Sequence, residues 1–123
     1  MSTIHEPAFD WSQAASLLGD DPNAVDQDMA AIVRELVEGA ESQFQELKSK
    51  NAETDRQAIS SLAHGLRGCL LNFGFTEVGG ILMQVEKGDY PAAEYQERID
   101  QAQGIFITSK KILGTRYPSL GLA

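Results

Sequence analysis

The segment Ile59-Ser60-Ser61-Leu62-Ala63-His64-Gly65-Leu66-Arg67-Gly68-Cys69-Leu70-Leu71-Asn72-Phe73-Gly74 decides how the chain is read. Its apolar residues Ile59, Leu62, Leu66, Cys69, Leu70 and Phe73 recur at intervals of three and four, the signature of one face of a helix. The stripe places Cys69 in the core as a buried, inert thiol. At ~100° per residue His64 lies roughly 160° from the centre of that stripe and faces solvent. Gln57, Ser60, Ser61, Arg67, Gly68 and Leu71 share its face. Gly74 stands where a left-handed helix end favours glycine.

The same spacing governs the rest of the chain. Val25, Met29, Ile32, Val33, Leu36, Val37, Ala40, Phe44 and Leu47 form a stripe that predicts a helix over 23–50. Thr54 is the expected N-cap of the His64 helix. Val78, Ile81, Leu82 and Val85 predict a helix over 76–87, and Tyr95, Ile99, Ala102, Phe106 and Leu113 one over 91–113, closed by Gly114. A shorter helix over 8–18 leads, with Asp10 as its cap. Alternating β-branched runs are absent. The reading is all-α: an antiparallel up-down-up-down four-helix bundle with an additional short N-terminal helix. Residues 1–7 read as a flexible leader, 8–114 as a single domain and 115–123 as a loose tail.

Composition narrows the partners. The chain has 123 residues, enough for one self-sufficient core. Ten Lys and Arg against 18 Asp and Glu leave a net charge of −8, which repels phosphate backbones and anionic lipid. One cysteine makes no internal disulfide and suits a reducing, cytoplasmic setting. No apolar run approaches the ~20 residues needed to span a bilayer. The expectation is a cytoplasmic monomer that binds neither nucleic acid nor membrane.

Function turns on His64. Gly65 and Gly68 each cost the helix about 1 kcal/mol relative to Ala, which suits a face where another molecule must approach. Arg67, one turn along, can reach an anion held at the imidazole. Leu71 is an apolar residue on the polar face, as a contact surface requires. A neutral imidazole is nucleophilic near pH 7 and can hold a phosphoryl group as a phosphoramidate. A carboxylate-bridged metal site would need Glu-x-x-His pairs facing inward, but residue 61 is Ser and His64 points outward. No metal site is assigned, nor any role to His5. No glycine-rich phosphate loop argues for a kinase.

The box Ala63-His64-Gly65-Leu66-Arg67-Gly68, with Gly74 ten positions past the histidine, resembles the histidine-containing phosphotransfer (HPt) domains of two-component phosphorelays. Phe9-Asp10-Trp11, Leu18-Gly19-Asp20 and Val85-Glu86 extend the resemblance over residues 9–113. Arg67 stands where the family usually has lysine, and Cys69 and Leu70 where small hydroxyl residues are common. Gly79-Gly80 is unusual for the family, with Gly80 expected on the outward side of its helix beside Met83. The resemblance implies that His64 accepts a phosphoryl group from a receiver-domain aspartyl phosphate and passes it to another receiver aspartate. Arg67 would stabilise the phosphate and Gly68 give docking clearance. Gln57, Ser60, Ser61, Gly65, Leu71, Gly80 and Met83 would form the partner-binding surface. The chain itself would need no cofactor, the Mg²⁺ belonging to the receiver, which could be part of a hybrid sensor kinase. The protein would then be a carrier without kinase activity of its own. The alternative is a non-catalytic helical docking module in which His64 is not phosphorylated.

Overall fold

The computed structural model describes residues 6–122, so the expectations for Met1 to His5 lie outside the described residues. The described chain is helical, without strands. Five α-helices follow in order: α1 (Trp11–Leu18), α2 (Gln27–Ser49), α3 (Arg56–Asn72), α4 (Thr76–Lys87) and α5 (Tyr95–Arg116). Two single turns of 3₁₀ helix, Ala92–Glu94 and Pro118–Leu120, flank α5.

Helices α2, α3, α4 and α5 contact one another in a ring, α2 on α3, α3 on α4, α4 on α5 and α5 on α2. Two register lines fix relative directions. Along α2, Arg34, Glu41 and Leu47 meet Leu120, Lys110 and Tyr95 in turn, so α2 and α5 run antiparallel. Between α3 and α4, Leu71 meets Gly79 and His64 meets Glu86, so these too are antiparallel. The ring encloses the apolar stripes. Phe44, Ile59, Leu66, Leu70, Phe75, Leu82, Ile99 and Phe106 are fully or nearly fully buried. Phe75 links two aromatic groups, 5.4 Å from Phe106 and 4.9 Å from Phe9, ring centroid to centroid.

Helix starts follow local chemistry. Asp10 caps α1 by accepting from the Gln13 amide, as its sequence position predicts. The second helix begins at Gln27, later than its stripe suggests, because Asp26 accepts from the Met29 amide and Pro22 lies just upstream. Val25 is buried ahead of the helix, its amide bonded to the Ser119 hydroxyl. Thr54 is not the cap of α3. That position belongs to Asp55, while Thr54 closes a turn in which Asn51 Oδ1 accepts from the Glu53 and Thr54 amides.

Three other expectations are corrected. Cys69 is exposed. It sits at the flank of the α3 stripe, and the apolar arc that α3 needs against its neighbours is filled by Ile59, Ala63, Leu66 and Leu70. Ile32 is 47% exposed for the same reason, since Ala30, Val33, Val37 and Ala40 already fill the inward arc of α2. Gly114 does not end α5, which runs on to Arg116. Gly114 is instead where Leu122 crosses the helix, 3.3 Å from the place a Cβ would take.

Finally, the described residues next to both ends are packed on the bundle. Tyr117 and Leu120 are buried, and Arg34 Nη1 donates to the Leu120 carbonyl at 2.8 Å. Apolar side chains there complete the base of the core between α2 and α5. Glu6 pairs with Arg116, whose guanidinium lies 3.9 Å from the centre of the Trp11 ring. Pro7 is buried. Leu120→Ala should therefore cost about 2–5 kcal/mol, as a buried Leu does elsewhere. Urea unfolding measures it, and a change below about 0.5 kcal/mol would mean that the tail is not part of the core.

Candidate functional site

The α3–α4 pair forms the site. The turn between them is tight. Gly74 takes φ 97°, which a side chain would resist, and the Phe75 amide returns to the Leu70 carbonyl. A Cβ at Gly79 would lie 2.5 Å from Leu71 Cδ2, so glycine is what lets Leu71 seat against α4. From that contact the antiparallel register runs outward. Seven residues back from Leu71 is His64, and seven on from Gly79 is Glu86. Seven residues are close to two full turns, so both stay on the shared groove.

His64 is on the surface as its helical angle predicts, its side chain 67% exposed. Nδ1 lies 3.2 Å from both Glu86 carboxylate oxygens and 3.2 Å from Arg67 Nη2. The nitrogen cannot donate and accept at once. A lone pair on Nδ1 would face two anionic oxygens, so Nδ1–H donates to Glu86 and the lone pair falls on Nε2. Arg67 gives its own hydrogen bonds to Glu86 Oε1, from Nε at 3.1 Å and Nη2 at 3.0 Å. Arg67 and Glu86 are both largely covered, at 18% and 24% exposure. Burial pushes the Glu86 carboxyl upward, but hydrogen bonds and charge from Arg67 and His64 outweigh it and hold the group below the usual carboxylate range.

The other predicted residues fall into two groups. Gly65, Gly68 and Gly80 are exposed, and a Cβ at any of them would meet no atom within 4 Å. Nothing inside the protein requires glycine at those three places. Gln57 and Ser61 are exposed and Ser60 is half-buried, on the same side of α3 as His64. Leu71 and Met83, at 37% and 39% exposure, give the groove an apolar edge. Leu71 thus has two roles, packing on Gly79 beneath and presenting apolar surface above. Gly79 is the buried member of the glycine pair and belongs to helix packing.

Sequence reasoning missed Glu86 as part of the site. Its signals are its place in the Val85-Glu86 pair and a carboxylate in the last turns of α4, and neither states that it reaches His64 across the groove. Arg67 is also used differently from its expected free reach: it is held by Glu86. The arrangement offers an accessible imidazole of fixed tautomer, a cation beside it and a carboxylate able to balance positive charge on the ring. Among the described residues no three His, Cys, Asp or Glu side chains gather closely enough to hold a metal ion, and no helix is long and apolar enough to cross a membrane.

The lowered Glu86 pKa carries a sign. Ionised Glu86 adds stability above the unfolded carboxyl's pKa, near 4.3, and that stability is lost as pH falls through the lower folded value. Wild type should therefore exceed Glu86→Gln in urea midpoint at pH 7, and the gap should close on acidification. A gap that persists at a pH where Glu86 is protonated in both the folded and the unfolded state would mean the ion pair is not its source.

Comparison with family models matches the Hpt domain over residues 25–105. The same comparison with curated proteins and with solved structures returns no match. The matched span covers well over half of the chain and holds α2, α3 and α4 whole, with His64 near its middle. The chain belongs to the Hpt domain family, whose members are phosphocarrier modules of two-component phosphorelays.

Proposed function

We propose that His64 takes a phosphoryl group on Nε2 from the aspartyl phosphate of a receiver domain and hands it to the aspartate of another. The observation that carries this reading is the imidazole itself, two-thirds exposed with Nδ1 tied to Glu86. In the forward step the Nε2 lone pair forms a P–N bond while the acyl phosphate P–O bond breaks, and the receiver's carboxylate leaves. The ring becomes an imidazolium that keeps its Nδ1 proton. Glu86, already ionised against that proton, balances the new charge without rearrangement. The return step runs the same bonds in reverse.

Arg67 sits one turn from the imidazole with its guanidinium at the Nδ1 edge, and its positive charge favours an anionic phosphoryl group on the ring. Its tie to Glu86 fixes its place in advance, so little side-chain freedom is lost when phosphate arrives. Gly65 and Gly68 leave open space around the ring, and Gln57, Ser60, Ser61, Leu71, Gly80 and Met83 form the floor on which a receiver rests. The receiver supplies the carboxylates and Mg²⁺. The scaffold is the up-down-up-down four-helix bundle, supported by the closed ring of helix contacts and the two antiparallel registers. A monomer suffices, because the site is complete within one chain. A docking module without phosphorylation would account for Leu71 and Met83, but not for an exposed histidine held in one tautomer.

Two variants test this. His64→Gln should take up no label from a phosphorylated receiver, while circular dichroism and melting temperature stay near wild type. Label on wild type should be acid-labile and base-stable. Uptake by His64→Gln refutes the assignment. Gly68→Gln adds a better helix former in open space, so its melting temperature should hold or rise. Its bulk stands one turn past His64 and should displace an incoming receiver, and a displacement of about 1 Å can cost ~100-fold in rate. Stability up with transfer intact would mean that Gly68 is not there for docking.

A further inference from the structure

Four residues of α5 form an outward stripe. Asp100, Gly104, Ile107 and Lys111 are all exposed, and their successive spacings of four, three and four keep them within about 60° of one another on the helix. Ile107 has 38% of its surface open to water. Gly104 stands in the middle of the helix, where glycine is a poorer choice than alanine, and a Cβ there would meet no atom within 4 Å. Nothing inside the chain calls for glycine at that place. The surface about Ile107 also carries little free charge, in a chain of net charge −8. Ser42, Gln45 and Gln103 join Ile107 around a cavity of about 370 Å³ over the buried Phe106. Glu41 and Lys110 at its edge pair with each other at 3.2 Å. The stripe's own charges stand at its two ends, about 16 Å apart. Asp100 lies 3.5 Å from Lys48 but keeps 64% of its side chain exposed. Lys111 makes no ion pair among the described residues.

The stripe is complementary to itself. Lay it antiparallel on an identical stripe, with the two-fold axis midway between Gly104 and Ile107. Asp100 then comes level with Lys111 of the second copy, and Gly104 with its Ile107. Each isoleucine gains the room left by the missing side chain opposite, and each carboxylate faces an ammonium group. The two helix dipoles run in opposite directions, which also favours the arrangement. An unrelated partner would have to supply an apolar knob, a gap and two charges at matching distances. A second copy of this chain carries all of them already.

We infer that the Asp100–Lys111 face of α5 is a self-association surface, on which two copies of this chain pair antiparallel through Ile107 and Gly104. In the ring of helices α5 touches α2 and α4 and stands across from α3. Pairing therefore leaves both His64 faces open and turned away from each other, so that the pair presents two independent sites. A contact about 16 Å long on one helix is smaller than the about 800 Å² per partner of a standard interface. The net charge of −8 on each copy opposes it further. The association is accordingly weak, with a dissociation constant on the order of 100 µM.

Sedimentation velocity on the full chain tests this, from about 10 to about 500 µM protein in about 150 mM salt. Wild type should run as a monomer at the low end and move toward twice that mass at the high end. Ile107→Glu should stay monomeric throughout. Gly104→Gln should melt at or above the wild-type temperature and stay monomeric. Asp100→Lys and Lys111→Asp each set like charges level across the pair and should weaken it by about tenfold. The double variant Asp100→Lys/Lys111→Asp should return to within about threefold of wild type. Asp100→Lys also loses the contact with Lys48 inside the chain, which the second change does not replace, so recovery comes from pairing between copies. Circular dichroism should match wild type in every variant. A wild type that stays monomeric at every concentration overturns the inference. So does pairing that survives Ile107→Glu, or a double variant no better than the single ones. His64→Gln should pair as wild type does, so failure of the phosphotransfer reading leaves this surface standing, and the reverse.

Discussion

Leu71 seated against Gly79 sets the register in which α3 and α4 lie together, and every feature of the site follows from it. A Cβ at position 79 would lie 2.5 Å from Leu71 Cδ2, closer than real contacts come, so the Leu71 side chain would have to leave its seat and the register would lose that peg. Sliding by one residue turns each helix about 100° relative to its partner. His64 would then no longer meet Glu86, Arg67 would lose the carboxylate that holds it, and the imidazole would be free to take either tautomer. The chemistry at the surface depends on a packing contact about 10 Å away along α3.

Glu86 is the electrostatic counterpart of that contact. It carries one negative charge and accepts from two cationic or potentially cationic partners, Arg67 and His64. Either alone leaves a different site. Without Glu86, Arg67 would lose the carboxylate that holds it, and its charge would disfavour the imidazolium that the proposed transfer creates. Without Arg67, the carboxylate would face an imidazole alone and an incoming phosphate would meet uncompensated negative charge. In the proposed transfer the Arg67–Glu86 pair adds no net charge, so a dianionic group meets a neutral site before the step, and the imidazolium offsets one of its two charges after it.

The helices and their inward faces were legible in sequence because they rest on local periodicity. Ile59, Leu66, Leu70, Val78, Leu82, Ile99 and Phe106 lie where spacing puts them, and the outward turn of His64 followed from angle alone. What sequence did not reveal depends on contacts between distant segments. Glu86 is 22 residues from His64, and only the α3–α4 register brings it near. Cys69 and Ile32 look like core residues by type and spacing, but the arc each helix needs was already filled. The tail has no periodicity, so Tyr117 and Leu120 give no signal until α2 and α5 leave an apolar opening for them.

The segments that the family model leaves unmatched are part of the same chain of dependence. Residues ahead of α1 and in its first turn tie down the turn that joins α3 to α4. The Asp10 amide donates to the Gly74 carbonyl at 2.8 Å, the Ala8 amide to Glu77 Oε1 at 2.8 Å and Gln13 Nε2 to the Asn72 carbonyl at 2.9 Å. The Phe9 ring closes over Gly74 from the other side, and a Cβ there would lie 2.7 Å from it. Arg116 at the end of α5 holds both Glu6 and the Trp11 ring, so the start of the described chain meets the end of α5. A turn held from outside the helix pair cannot open without breaking these bonds. The site on α3 is thus positioned by α4, α4 by its turn, and the turn by a strap from the start of the chain.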